Sequence, residues 1–199
     1  IQYYKEEERG FDYKEDQLVP GWFELPMKKG ESVIFSAGIS EVNTKTLKTL
    51  WNKELERRGT REDMFTCLKI AAQQFYKREG DKCYLLAGYP WFKASAREEF
   101  MALPSCTIGI GRPEYWDLIV NNTAVEEIRN FMEGKPCKLV GMDEPDVLLW
   151  FIRALQEYAN YTSIEEVSKL YGQLIIGIML FIRGQQHPRL FLHNNGLLW

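Results

Sequence analysis

The feature that most constrains the fold of this chain is a helical repeat of apolar residues, which runs from position 43 to position 184. One example, closed by Gly59, consists of Leu47, Leu50, Trp51 and Leu55. Apolar side chains spaced three or four residues apart lie on one face of an α-helix, and that face must be buried. The pattern therefore predicts a mainly α protein built from helical hairpins packed side by side.

Start and stop signals divide this part of the chain into six predicted helices. Thr60–Asp63 and Ser163–Glu166 resemble capping boxes, and Gly80 and Gly184 are suited to helix ends. The helices are expected at about residues 43–58, 64–79, 96–108, 114–132, 143–158 and 164–183. Asn195-Gly196 is typical of a type I′ turn, which predicts a hairpin over residues 190–199.

The first 39 residues have a different pattern, which predicts strands and turns. Trp22–Leu25 and Ser32–Ala37 are the strand candidates. Two strands do not bury a core alone, so they are either a hairpin leaning on a helical domain or the last strands of an N-terminal β domain. We adopt the second interpretation, with residues 1–39 ending that domain, 40–59 forming a linker helix and 60–199 the helical domain. Since the sequence begins without Met and ends on apolar residues, we expect a piece of a longer protein.

Charge and composition argue against several function classes. Lys and Arg number 25 and Asp and Glu 28, a net charge of -3, so a nucleic-acid partner is not expected. The most apolar stretch, 174–182, is too short to span a bilayer, and no membrane role is expected. The 4 Cys residues lack CxxC spacing and there are 2 His residues, so we expect no metal or cofactor. The thiols suit buried positions in a reducing compartment, which predicts a cytoplasmic protein.

The densest candidate site is a loop with aromatic residues that leads into the third helix. Tyr89, Trp91 and Phe92 precede Arg97 and Glu98, which lie in the first helical turn. A guanidinium beside a carboxylate can bind vicinal sugar hydroxyls, and Tyr89 or Trp91 can stack on a sugar ring. Alternatively, the aromatic side chains pack on the protein and the two charged residues form a solvated first turn.

A second candidate segment begins the fifth helix. Asp146 and Trp150 are four residues apart and share a helix face. Asp146 could meet Glu98 in one pocket, and paired carboxyl groups with aromatics are typical of glycoside hydrolysis. In the alternative, Asp143 or Glu144 caps the helix and Trp150 belongs to the core.

Several segments, in order, resemble the amylo-α-1,6-glucosidase domain of glycogen debranching enzymes. The most specific block runs from Ala87-Gly88-Tyr89-Pro90-Trp91-Phe92 through Arg97-Glu98 to Ala102-Leu103-Pro104. Weaker similarities lie in Arg9–Tyr13 with Pro20-Gly21, Gly109–Arg112, Asp146–Phe151 and Asn195–Leu198. The resemblance implies part of an (α/α)6 toroid and hydrolysis of α-1,6-linked glucose at branch points of glycogen-like α-glucans.

The resemblance also implies which residues bind the glucose and where this chain departs from the family pattern. The implied substrate-binding residues are Tyr89, Trp91, Arg97, Glu98, Asp146 and Trp150. Where the family usually has Gly-Arg-Trp-Gly-Arg-Asp, this chain has Lys93-Ala94-Ser95-Ala96-Arg97-Glu98, so Ser95 replaces Trp and Glu98 replaces Asp. The family's catalytic acid and base are expected C-terminal to Trp199, so this chain alone should be inactive, and an exposed apolar face should make it self-associate.

Two other hypotheses stay open from the sequence. One is a non-catalytic helical domain that binds glucan or a protein. The other is a different (α/α)6 glycosidase, of glucoamylase or trehalase type.

Overall fold

The computed structural model describes residues 1–88 and 91–198, and it is mainly helical, as the sequence predicts. The chain divides into two compact units, Ile1–Glu54 and Leu55–Trp199. The helices are α1 (Tyr4–Glu8), α2 (Leu47–Arg58), α3 (Met64–Gln73), α4 (Ala96–Cys106), α5 (Pro113–Ile119), α6 (Val125–Met132), α7 (Val147–Tyr161) and α8 (Ile164–Arg183). The strands are β1 (Tyr76–Glu79) and β2 (Lys82–Leu85), which pair antiparallel. The larger toroid and the N-terminal β domain stay predictions.

The first unit lacks the two strands that the sequence predicts. Residues 22–25 and 32–37 have no regular secondary structure and join no ladder, and Trp22 and Phe23 are 86% and 84% exposed. An extended segment becomes a strand only when a neighbouring strand satisfies its backbone hydrogen bonds, and here that neighbour is missing. Instead this unit contains the short helix α1 and an isolated antiparallel bridge between Gln2 and Lys14.

The chain has helices at the six predicted places, but the second predicted helix is too long. α3 ends at Gln73 rather than at Gly80, and the residues that follow form the hairpin of β1 and β2. Gly80 occupies the turn of this hairpin with a φ of 66°, a left-handed conformation that glycine adopts without strain. The same glycine signal thus marks a strand turn instead of a helix end.

A π-helical turn, Val120–Ala124, joins α5 to α6 in place of continuous α-helix. Within it, the buried Thr123 hydroxyl accepts a hydrogen bond from the Cys83 N–H at 3.3 Å and donates one to the Cys83 carbonyl at 3.1 Å. The hydroxyl satisfies both backbone groups of a buried strand residue, which would otherwise destabilise the core. The π turn therefore fastens β2 to the helical layer.

Aromatic contacts between helices form the core of the second unit. Phe100 on α4 meets Phe151 on α7 edge-on, with ring centroids 5.2 Å apart. Trp116 on α5 stacks on Tyr158 of α7 at 4.4 Å. Phe100, Phe151 and Trp116 are at most 1% exposed, so α7 is clamped between α4 and α5. This packing fixes the position of both ends of α7.

The four cysteines are free thiols in different environments. Cys83 is buried as predicted, Cys106 and Cys137 are half-buried, and Cys67 on α3 is exposed, so the prediction of buried thiols is wrong at Cys67. α3 buries only Ile70 fully, and Cys67 lies outside its narrow buried face. Among the described residues, no helix combines the length and apolarity that crossing a membrane requires.

The C-terminal segment turns at the predicted place, but the turn is not the predicted type I′, because Asn195 lacks the positive φ that this type requires, and the described residues form one bridge of the ladder. Leu192 and Leu198 pair antiparallel, and the Gly196 N–H donates to the His193 carbonyl at 2.9 Å.

On α8, Ile176 and Leu180 are 53% and 63% exposed. The self-association that the sequence suggests stays a prediction.

Replacing the cap of α8, Ser163→Ala, should lower the free energy of unfolding by about 1 kcal/mol. The Ser163 hydroxyl accepts the Glu166 N–H at 3.1 Å, and alanine leaves that helix-end donor without this partner. Urea unfolding followed by circular dichroism measures the change. Ser168→Ala, the same substitution at an exposed interior position of α8, should be neutral or slightly stabilising; equal losses at both positions would contradict the capping role.

Candidate functional site

Two bridges bring the aromatic loop and the loop before α7 to the same place. Leu86 pairs antiparallel with Ala94, which closes the loop between β2 and α4. Ser95 then pairs in parallel with Val140: the Ala96 N–H donates to the Val140 carbonyl at 2.9 Å, and the Val140 N–H to the Ala94 carbonyl at 3.3 Å. The first residues of α4 therefore lie beside the segment that leads into α7.

A buried carboxylate holds the other side of that segment. Glu127 on α6 is 2% exposed, and its Oε2 accepts the Lys138 N–H at 2.7 Å and the Leu139 N–H at 3.0 Å. A carboxylate that accepts two backbone N–H groups replaces part of the water it loses on burial. Residues 138–140 are thus fixed between α6 and the start of α4.

The result of this arrangement is a contact between three of the sequence-predicted site residues. Arg97 Nη2 lies 2.9 Å from Asp146 Oδ2, and the Trp150 indole N–H donates to the same Asp146 oxygen at 3.0 Å. Asp146 immediately precedes α7 and Arg97 is the second residue of α4. The structure therefore brings Arg97, Asp146 and Trp150 together from two helix N-termini.

This ion pair orients groups more than it stabilises the fold. The Arg97 and Asp146 side chains are 51% and 34% exposed, and exposed ion pairs typically contribute about 0–1 kcal/mol. A guanidinium carries five N–H donors in a planar fork, more than one carboxylate oxygen can accept. Its other donors and the Asp146 carboxylate can therefore bind adjacent hydroxyl groups of a ligand.

Trp150 also lines a cavity of about 500 Å³ between α4 and α7. Phe100 and Met101 contribute apolar walls, and Arg153 and Glu157 contribute polar ones. An indole face with polar groups around it is suited to an amphipathic flat ligand such as a sugar ring. Trp150 is partly buried and packs against the hydrophobic core, so it is both a wall of this cavity and a neighbour of the core, as the alternative interpretation also expects.

Glu98 has different partners from the other charged site residues. Its carboxylate accepts a hydrogen bond from the Ser95 hydroxyl, and it lines a second cavity, of about 150 Å³, with Leu86, Ala87 and Ala102. Ser95, which replaces the Trp of the pattern of the family that the chain resembles, and Glu98, which replaces its Asp, contact each other here. The structure does not place Glu98 on the Arg97–Asp146 pair.

The aromatic residues of the loop are only partly described. Tyr89 lies outside the described residues. Trp91 is 85% exposed, while Phe92 folds back so that its ring lies against Gly88, where an added Cβ would be 2.6 Å from the ring. An indole that exposed is accessible to a ligand, and its role in binding stays a prediction.

A carboxyl group that sequence reasoning missed lies one residue beyond Glu98. Glu99 is 0% exposed, and its Oε2 accepts the Leu85 N–H at 2.8 Å. Burial, with a smaller contribution from the nearby Glu127 carboxylate, raises the pKa of Glu99 to about 8. A sequence signal existed: on a helix, position 99 shares the inward face of Ala96, Phe100 and Leu103.

Most of the helical part of the chain matches the model of one protein family. Residues 70–198 match the family model described as amylo-alpha-1,6-glucosidase. The chain belongs to the amylo-alpha-1,6-glucosidase family. No curated protein and no solved structure gave a significant match. The matched range contains Arg97, Asp146 and Trp150, so the clustered residues lie in the part of the chain that defines the family.

Membership in the amylo-alpha-1,6-glucosidase family makes the domain one of glycoside hydrolase type. Reactions of that type typically use a pair of carboxyl groups. Within residues 1–88 and 91–198, no three His, Cys, Asp or Glu side chains are grouped so that they could hold a metal.

Proposed function

We propose that this chain holds the terminal glucose unit of an α-1,6 branch in a glycogen-like α-glucan, as part of a debranching glucosidase. The observation that carries the proposal is the convergence of Arg97, Asp146 and Trp150, within a domain of the amylo-alpha-1,6-glucosidase family. Arg97 and Asp146 supply donors and acceptors for vicinal hydroxyls, and Trp150 supplies an apolar face.

The same geometry supports binding without hydrolysis by these 199 residues. Glycoside hydrolysis uses two carboxyl groups placed across the scissile bond. Asp146 is paired with Arg97, and Glu98 is hydrogen-bonded to Ser95 and faces another cavity. We therefore expect the acid and base to be supplied by residues other than these two.

Arg97→Gln should weaken binding of isomaltose, an α-1,6-linked glucose disaccharide, by about tenfold or more. The substitution removes a charge-assisted hydrogen-bond donor, and such bonds contribute about 1.5–3 kcal/mol. Isothermal titration calorimetry on the folded chain measures the dissociation constant. Maltose and trehalose serve as the comparison ligands, and tighter binding of trehalose would instead favour a trehalase-type glycosidase.

The matched control is Arg189→Gln. Arg189 is 50% exposed and pairs with Glu144 at 2.9 Å, so it reproduces the exposure and ion-pair distance of Arg97 and contacts the same loop. It should leave the dissociation constant within about twofold of wild type, since changes at exposed sites are typically small. Equal losses in both variants would mean that loop order, and not a guanidinium–sugar contact, explains the effect; no binding by the wild type would overturn the proposal.

A further inference from the structure

The most unusual group in the described part of the chain is the buried carboxyl of Glu99. It lies on α4, two residues after Arg97, yet it is 0% exposed. Its one hydrogen bond in the structure is the 2.8 Å bond from the Leu85 N–H, and its Oε1 is buried without a partner. A fully buried carboxylate with one donor is strongly unfavourable, whereas the protonated acid is tolerated.

Among the titratable groups near Glu99, the Glu127 carboxylate on α6 disfavours its charge further. The others are Cys83 and Tyr84 on β2, which stay neutral because burial raises the pKa of each. Glu127 is itself held by two backbone N–H groups, so it remains a good acceptor close to Glu99. Two carboxyl groups in one dry region favour a state in which one of them carries a proton.

The position of Glu99 connects this proton to the candidate site. Leu85 is the last residue of β2, and the aromatic loop begins directly after it and closes at the Leu86–Ala94 bridge. Glu99 bonds to Leu85 from inside, while Arg97 on the same helix faces Asp146. A carboxyl that fastens Leu85 therefore sets the distance between the loop and the first turn of α4.

We propose that Glu99 is a positioning residue that holds the end of β2, which leads into the aromatic loop, against α4 while its carboxyl is protonated and loosens it when the carboxyl ionises. The effect on sugar binding rests on the proposed function, whereas the effect on stability does not. Ionisation leaves a buried charge beside Glu127. The free-energy cost of that charge falls most easily if β2 and the loop move, because water then reaches the carboxylate.

The direction of the pH dependence follows from the raised pKa. The pKa of Glu99 is about 8 in the folded chain against 4.5 for an ordinary glutamate, so the folded state retains the proton between these values and the unfolded state does not. The stabilisation is therefore complete below pH 4.5 and is lost as the pH rises through 8. Across this window one retained proton changes the unfolding constant by up to about tenfold per pH unit.

The experiment compares wild type, Glu99→Gln and Glu126→Gln from pH 5 to pH 9. Glutamine is a permanently neutral analogue of the protonated acid, and its carbonyl can still accept the Leu85 N–H. Glu126 is next to Glu127 but 54% exposed, so it controls for loss of one negative charge. Urea unfolding gives the unfolding constant, and calorimetry gives the isomaltose dissociation constant.

Wild type and Glu126→Gln should both show an unfolding constant that rises with pH and isomaltose binding that weakens between pH 7 and pH 9. Glu99→Gln should lose the part of the pH dependence that this proton causes in both measurements; the slope that remains belongs to other groups, such as His187, whose pKa is lowered by burial. A Glu99→Gln profile that follows wild type would overturn the proposal. If the unfolding constant depends on the protonation of Glu99 but the isomaltose dissociation constant does not, the positioning role is wrong. If wild type binds no isomaltose at all, the proposed function fails, and the unfolding data still test the protonation of Glu99.

A direct titration covers the case in which Glu99→Gln does not fold. Carbon-13 NMR of side-chain carboxyl groups in wild type, with Glu99 assigned, should show a midpoint near 8. A midpoint near 4.5, the ordinary glutamate value, would contradict a proton held in the folded state.

Discussion

The Phe151→Ala variant is expected to unfold with a free energy about 3–5 kcal/mol below that of wild type. Phe151 is 0% exposed and meets Phe100 with ring centroids 5.2 Å apart. Removing the ring loses its transfer free energy, the edge-to-face contact and the surrounding packing, and leaves a cavity between α4 and α7 that a rigid core fills only in part. Urea unfolding measures the loss.

Phe65→Ala is the matched control for Phe151. It makes the same chemical change on α3, where the ring is 53% exposed, so the loss there should stay below about 1 kcal/mol. Similar losses in the two variants would show that Phe151 is not part of a tightly packed core. Because α4 carries Arg97 and α7 follows Asp146, Phe151→Ala should also weaken isomaltose binding in the fraction that remains folded.

The second large effect is expected for Glu127→Ala, at about 2–5 kcal/mol. The part-buried Lys138 N–H and the buried Leu139 N–H would lose their shared acceptor, and an unsatisfied buried donor costs about 1–3 kcal/mol. Since these residues fix the segment that leads to Asp146, hydrogen–deuterium exchange at residues 138–142 should accelerate as well. Both quantities can be measured on the same protein sample.

Glu126→Ala separates the buried carboxylate from general effects of charge. Glu126 is 54% exposed and pairs with Lys82 at 2.8 Å, so its removal should cost less than about 1 kcal/mol. Glu127→Gln retains a carbonyl acceptor and should lie between the two alanine variants. An unchanged exchange rate at residues 138–142 in Glu127→Ala would show that the carboxylate does not hold this segment.

The helices were predictable because their signals are local. The Ser163 hydroxyl caps α8 as the sequence suggests, and Gly59 follows α2 with a φ of 76°. The hairpin of β1 and β2 was missed because the apolar period of α3 continues to Phe75, and the turn at Gly80 looks the same as a helix end. The strands predicted at 22–25 and 32–37 failed for the opposite reason, since composition favours extended chain but a ladder needs a partner.

The site was predictable in its residue types but not in its contacts. Arg97 and Asp146 stand at helix starts that the sequence reveals, yet they are 49 positions apart in the chain. They meet only because the Ser95–Val140 bridge and the Glu127 carboxylate join two loops. Such long-range hydrogen bonds leave little trace in a single sequence. By contrast, the inward face of α4 was readable, and Glu99 could have been recognised on it.

The π-helical turn between α5 and α6 determines which side chains of α6 face the protein interior. Each residue of an α-helix advances by about 100°, so the extra residue in a π turn decides which glutamate of the pair on α6 faces inward. Shortening Val120–Ala124 by one residue would bring Ile128 to the position of Glu127, and an aliphatic side chain would then face the Lys138 and Leu139 N–H groups. The geometry of the Arg97–Asp146 pair thus depends on the length of a turn that is more than 20 residues away in the chain from either partner.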